Sequence, residues 1–212
     1  MVEHGVQRSP DKRRAMLRGG LVVFARDGYT RGSIEAIAEQ ANVSTRTIYN
    51  HFGDKARLFE AVIQASATEV ADAQIRVINR YLHRVRDVEA DLIEFAIVWA
   101  TPMGEFADHF AMVRQVNAEI GHLPTSVVQA WQEAGPRRVN AELAGKLGEL
   151  AERGLLRIDD PGRAATHFSL LTTGEVSSRT YRGALPIPAD EIAVSAAAGV
   201  RAFLGGYGAQ TQ

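Results

Sequence analysis

The chain has 212 residues, 46% of them hydrophobic and 23% charged, with a formal net charge of −1. No run approaches the ~20 apolar residues of a membrane span, and the opening stretch, MVEHGVQRSPDKRRAML, lacks the apolar centre of a secretory leader. With no cysteine, disulfides, thiol catalysis and cysteine-held zinc or iron–sulfur sites are excluded, and a cytoplasmic location is the simplest expectation.

Ser9-Pro10 reads as a cap followed by proline at the first helical position, opening a helix through Leu17, Leu21 and Phe24 that Gly28 should stop. Ser33 can cap a second helix by accepting a bond from an orphan backbone N–H. Ile34, Ile37, Ala38 and Ala41 then recur at i, i+3, i+4 and i+7, one apolar stripe. Asn42-Val43-Ser44 should break it: Asn tolerates the left-handed conformation that ends a helix, and Ser44 can cap the next.

That third helix has Ile48 and Phe52 for packing, and its other face holds Thr45, Arg46, Thr47, Tyr49, Asn50 and His51. A helix with one narrow apolar edge and a donor-rich opposite face suits the major groove of DNA. Lys55, just after the expected cap Asp54 of a fourth helix, and Arg46 both place cations in first turns, where the helix dipole disfavours them and a polyanion would compensate. Charge is divided unevenly as well. Residues 1–60 hold ten Lys/Arg against seven Asp/Glu, and the remainder fourteen against eighteen. Arg8, Lys12, Arg13, Arg14 and Arg18 crowd the first helix, a basic face suited to phosphates.

The fourth helix should run from Asp54 to near Arg84. Beyond a break at Asp87, helices are expected around Leu92–Trp99, ended by Pro102 and Gly104, and around Phe106–Ile120, ended by Gly121 and Pro124. A long helix follows through Val127, Val128 and Trp131 to Leu150, bent or interrupted at Gly135-Pro136 and ended by Gly154. Asp160-Pro161 starts a further helix with Ala164, Ala165, Phe168, Leu171 and Thr172 on one side. Pro186 and Pro188 separate it from a last helix over about Ala189 to Leu204. Small residues at Ala165, Ser169, Ala196 and Gly199 would permit close helix approach, and the tail after Gly205 should fray. No strand pattern or internal repeat is visible. The fold class is therefore all-α, with about nine helices.

Gly28-Tyr29, Ser33-Ile34, Ile37-Ala38, Ala41, Val43-Ser44, Thr47-Ile48-Tyr49, His51-Phe52, Lys55 and Leu58-Phe59 together resemble the DNA-binding domain of TetR-family transcriptional regulators. The likeness runs from Ser9 to Ile63. It departs at Asn42, where the family usually has Gly, and at Gly53, often Pro or Lys in relatives. The resemblance implies a helix-turn-helix DNA-binding domain at 1–53 and a helical effector-binding and dimerisation domain at 54–212, with 54–84 as the connecting helix. It implies a homodimer formed through the last two helices (160–181 and 189–204), which would pack against their copies as a four-helix bundle. It also implies a ligand-responsive repressor released by a small organic effector, with no enzymatic activity, cofactor or metal. From Glu89 to Arg182 the chain shows a weaker likeness to one C-terminal subtype, around Glu133-Ala134-Gly135-Pro136 and Arg157-Ile158-Asp159-Asp160-Pro161.

A two-fold dimer would set two reading helices in successive major grooves of a palindromic operator. Arg46 is the candidate for guanine and Asn50 for adenine, with a phosphate as the alternative partner of either. Thr45, Tyr49, His51 and Lys55 should hold the phosphate backbone, with Ser33, Ser44 and Thr47 fixing helix ends or donating to phosphate. Phe95, Trp99, Met103, Phe106, Phe110 and Trp131, with His167 as a polar partner, form the candidate effector pocket. Two other readings stand beside this one. A helical protein-binding adaptor without DNA specificity would explain the amphipathic C-terminal helices but not the chemistry of residues 44–55. An enzyme with a dispersed site has no metal-ligand spacing, phosphate loop or nucleophile elbow to support it.

Overall fold

Helices form wherever an apolar stripe is bounded by a cap, a proline or a left-handed residue. The computed structural model describes residues 9–209; Arg8 and the residues before it, together with the last part of the tail, lie outside that range. Among the described residues there are ten α-helices: α1 (Ser9–Arg31), α2 (Ile34–Gln40), α3 (Thr45–Phe52), α4 (Lys55–Tyr81), α5 (Val88–Ala100), α6 (Ala107–Ala118), α7 (Thr125–Ala134), α8 (Pro136–Glu152), α9 (Pro161–Arg179) and α10 (Ala189–Tyr207). Short 3-10 turns cover Gly104–Phe106 and Ile120–His122. The expected long helix is two, because Gly135 adopts φ −125° and ψ −87° and Pro136 starts α8 afresh. Side-chain caps begin several helices: Asp87 accepts from the Ala90 N–H at 3.0 Å, and Asp160 from the Arg163 N–H at 3.0 Å.

The described residues divide into two compact units. Residues 9–69 and 106–134 form one; residues 70–105 and 135–209 form the other. This packing differs from a division at 53/54, since α4 contributes to both units, and α6 and α7 belong with the first three helices. The first core joins Met16, Phe24, Ile37, Ile48, Leu58, Phe59 and Ile63 to Met112, Val116, Leu123 and Val127. Phe24 meets Phe59 edge-on at 4.8 Å. The second core joins Ile78, Leu82 and Leu92 to Leu143, Leu147, Val200 and Phe203 through Phe95 and Phe168, whose rings stack at 5.6 Å.

In the second unit α9 and α10 pack closely. A Cβ on Gly199 would lie 2.2 Å from the Leu171 carbonyl oxygen, so only glycine permits this approach. Ala165 and Ala196 are also buried inside the unit. The small residues thus serve packing within the chain. Leu171, expected on the inner side of α9, is 42% exposed, because only the backbone at that position meets α10. The frayed tail is also corrected: α10 continues through Tyr207, the Arg157 N–H donates to the Tyr207 carbonyl at 2.7 Å, and Gly208 bridges to Leu156.

Candidate nucleic-acid interface

Ser33 and Ser44 both have extended backbones and cap the helices that follow them. The Ser33 hydroxyl accepts from the Ala36 N–H at 3.1 Å. The Ser44 hydroxyl accepts from the Thr47 N–H at 3.2 Å and lies 2.9 Å from the Thr47 hydroxyl. Between the helices Asn42 is left-handed, φ 52°, and the Val43 N–H closes onto the Ala38 carbonyl at 2.9 Å.

Helix α3 has eight residues, too few to be stable alone in water. Burial of Ile48 and Phe52 holds it, each contributing ~1.5–3 kcal/mol. The Arg13 guanidinium also sits 5.7 Å over the Phe52 ring. Arg46, Tyr49, Asn50 and His51 are exposed along the opposite face, and Thr45 and Thr47 are half-buried at its start. One element therefore brings the expected α3 side chains together on an open surface.

Lys55 is placed differently. Its Nζ donates to the Thr30 carbonyl at 3.2 Å and lies 4.9 Å from the centre of the Tyr29 ring. Partial burial lowers its pKa, while the Glu119 carboxylate works in the opposite direction. Glu119, at the end of α6, accepts from the Tyr29 N–H at 2.9 Å and the Thr30 N–H at 3.1 Å. Those amides are orphaned because Gly28, at φ 77° and ψ −179°, breaks α1 and restarts it for a final turn. The stop expected at Gly28 is thus a break followed by one more turn.

The candidate effector residues fall in both units. Phe95 is fully buried, its ring 5.4 Å from that of the half-buried Trp99. Met103 is half-buried, and His167 is exposed with its Nδ1 2.8 Å from the Tyr207 hydroxyl. These four belong to the second unit. Phe106, Phe110 and Trp131 are half-buried and belong to the first. The first unit also contains an open cleft of about 590 Å³ lined by Gln64, Thr68, Ser126, Gln129, Ala130, Glu133 and Ala134, none of which is in the aromatic set. Among the described residues, no three His, Asp or Glu gather to hold a metal ion, and no helix is long and apolar enough to cross a membrane.

Residues 16–62, which hold the capped helix pair, match the family model described as bacterial regulatory proteins, tetR family. Residues 105–209 match the model of the AefR-like transcriptional repressor C-terminal domain. This chain belongs to the TetR family of transcriptional regulators. TetR-family proteins are regulators, not enzymes, and the C-terminal match is to the AefR-like domain.

Similar proteins agree with this placement. A protein from Mesorhizobium loti MAFF303099, assigned to the TetR-family regulators, is 28% identical with a TM-score of 0.83 over 95% of this chain and 98% of its own. The Flavonoid-responsive Regulator FrrA is 26% identical with a TM-score of 0.67 over 96% of this chain and 100% of its own. The HTH-type transcriptional repressor NicS of Pseudomonas putida is 33% identical over 73 residues, which is 34% of each chain. The match spans about a third of the length of the curated relatives.

Sequence reasoning missed Glu119. Nothing local to residue 119 signals a contact with backbone amides 90 positions earlier.

Proposed function

We propose that this TetR-family chain is a cytoplasmic homodimeric repressor that binds a palindromic operator and is released by a small organic effector. The observation that carries the reading is the exposed face of α3, where Arg46, Tyr49, Asn50 and His51 stand opposite the buried Ile48 and Phe52. Arg46 and Asn50 have the donor and acceptor geometry for guanine and adenine edges. Thr45, Thr47, Tyr49 and His51 contact phosphates, and Ser33, Ser44 and Lys55 hold the frame.

Two subunits are needed because one short helix covers too little DNA for useful specificity. The apolar side chains left open on α9 and α10 supply a surface for the second copy. Leu170 is 64% exposed and Val194 72%, and no atom lies within 4 Å of where a Cβ on Gly174 would stand. Such an isologous face suits a two-fold four-helix contact. Residues 1–53 serve DNA recognition and 54–212 effector binding and dimerisation, with α4 running from one function into the other. Repression is the reading supported by the curated repressors among the relatives. An organic effector is supported by the flavonoid response of FrrA and by half-buried Trp99, whose ring lies tilted against that of Phe95.

Selection of bound duplexes from a random DNA library with the full-length chain tests this. An inverted repeat with fixed half-site spacing is expected. No enriched motif, with the protein folded and binding tried at low salt, would return the helix pair to a packing role.

A further inference from the structure

The helix-turn-helix is tied at its front end to a carboxylate that lies outside it. Tyr29 and Thr30, just ahead of α2, give their backbone N–H groups to Glu119 Oε2 at 2.9 and 3.1 Å. The Thr30 carbonyl in turn accepts from Nζ of Lys55, just beyond α3, at 3.2 Å. Tyr29 completes the junction, with its ring 5.0 Å from Phe59 and 4.9 Å from the Lys55 ammonium.

The space at position 28 is shaped to this acid. A Cβ on Gly28 would stand 2.5 Å from Glu119 Oε1 and 3.3 Å from Gln115 Oε1, so the carboxylate occupies the place a side chain would take. Gly28 is also left-handed at φ 77°, which orphans the amides that Glu119 accepts from. An anion bonded to two amides and facing an ammonium makes charge-assisted bonds, stronger than neutral ones. It holds a turn that would otherwise be free to rotate against α2.

Resting on the DNA-binding reading above, we infer that Glu119 is a positioning residue for operator recognition. It fixes the junction before α2, to which Lys55 beyond α3 is bonded through the Thr30 carbonyl, and so makes the aim of the reading helix depend on where the end of α6 stands. Residue 119 lies outside the N-terminal family match at 16–62, so a segment beyond the DNA-binding motif controls how that motif is presented.

The test uses the full chain and the duplex it selects from a random library. Glu119→Ala should weaken operator binding about tenfold while binding to an unrelated duplex changes little, because phosphate attraction survives a loosened head and base readout does not. Glu119→Gln keeps an oxygen for the two amides and should fall between Glu119→Ala and the wild type. Hydrogen exchange at the Tyr29 and Thr30 amides should accelerate in Glu119→Ala while core amides of α1 stay protected. Operator affinity of Glu119→Ala within about twofold of wild type, or unchanged exchange at both amides, overturns the proposal. If Glu119→Ala does not fold, Glu119→Gln decides alone: weaker operator binding at an unchanged thermal midpoint supports positioning, and unchanged binding overturns it. A wild-type chain that selects no motif defeats the DNA-binding reading and this proposal together; a selective wild type with an indifferent Glu119→Ala defeats this proposal only.

Discussion

The Ser66 hydroxyl lies 2.6 Å from Nδ1 of His109, a polar pair buried between α4 and α6 within the first unit. Burial pushes the His109 pKa down from its ordinary 6.5 to about 4, so the ring is neutral at physiological pH. A histidine depressed in the folded state gives its full contribution above pH 6.5 and loses it as pH falls toward 4, because the unfolded chain takes up the proton first. The loss should reach roughly 3 kcal/mol below that range. The carboxylates of half-buried Asp27 and exposed Asp160 are both shifted down from 3.8 and titrate below this window. Urea unfolding from pH 7 to pH 4 should therefore show a steep decline in the wild type and a shallower one in His109→Gln. An identical decline in both would remove His109 from the account.

The caps separate stability from binding. Ser44→Ala removes the acceptor for the Thr47 N–H and should cost ~1 kcal/mol of stability. Ser44→Asp restores an acceptor but sets a negative charge beside the face proposed to meet phosphates. It should unfold at wild-type denaturant concentrations and yet bind every duplex weakly. If Ser44→Asp binds DNA as well as wild type does, α3 does not approach a phosphate at that end.

Exposed side chains on α3 should divide by the kind of information they carry. Asn50→Ala and Arg46→Ala should each relax preference at one base position, with ~1–3 kcal/mol of discrimination lost. Tyr49→Phe should weaken all duplexes to a similar degree, since a phosphate contact carries no sequence information. Competition binding against single-base variants of the selected duplex reads both. A changed base preference in Tyr49→Phe would assign that side chain to base reading.

The last two helices offer a contrast between inner and outer faces. Gly199→Ala would drive a methyl to 2.2 Å from the Leu171 carbonyl oxygen and 2.6 Å from its carbon, both main chain. Separating α9 from α10 should cost ~1–3 kcal/mol, read as a lower thermal midpoint. Val194→Glu, on a side chain 72% exposed, should leave the protomer folded and abolish the dimer in sedimentation velocity. A Val194→Glu chain that still dimerises would place the subunit contact elsewhere.

Local chemistry was readable and distant pairing was not. The starts of α2 and α3 follow from Ser33 and Ser44, and the end of α2 from Asn42, because each acts through hydrogen bonds a few residues away. Pro136 and Pro161 mark their helices as locally, through a fixed φ and a missing N–H that a first turn does not need. Leu171 misled because side chain and main chain at that position serve opposite faces of α9, and only the main chain meets α10. The aromatic set from Phe95 to Trp131 reads as one group along the chain, yet the fold deals it to two units. Periodicity reports which face of a helix is apolar and carries no address for its neighbour.

The first core is assembled from two stretches of chain with another unit's residues threaded between them. Met112, Val116, Leu123 and Val127 seal a cluster begun by Met16 and Phe24, so translation delivers the DNA-facing segment long before it delivers the cover. During that delay of seconds the nascent head must wait with part of its apolar surface bare. A gene truncated after codon 69 would yield that waiting state permanently, as a species for chaperones and proteases and not as a miniature DNA binder.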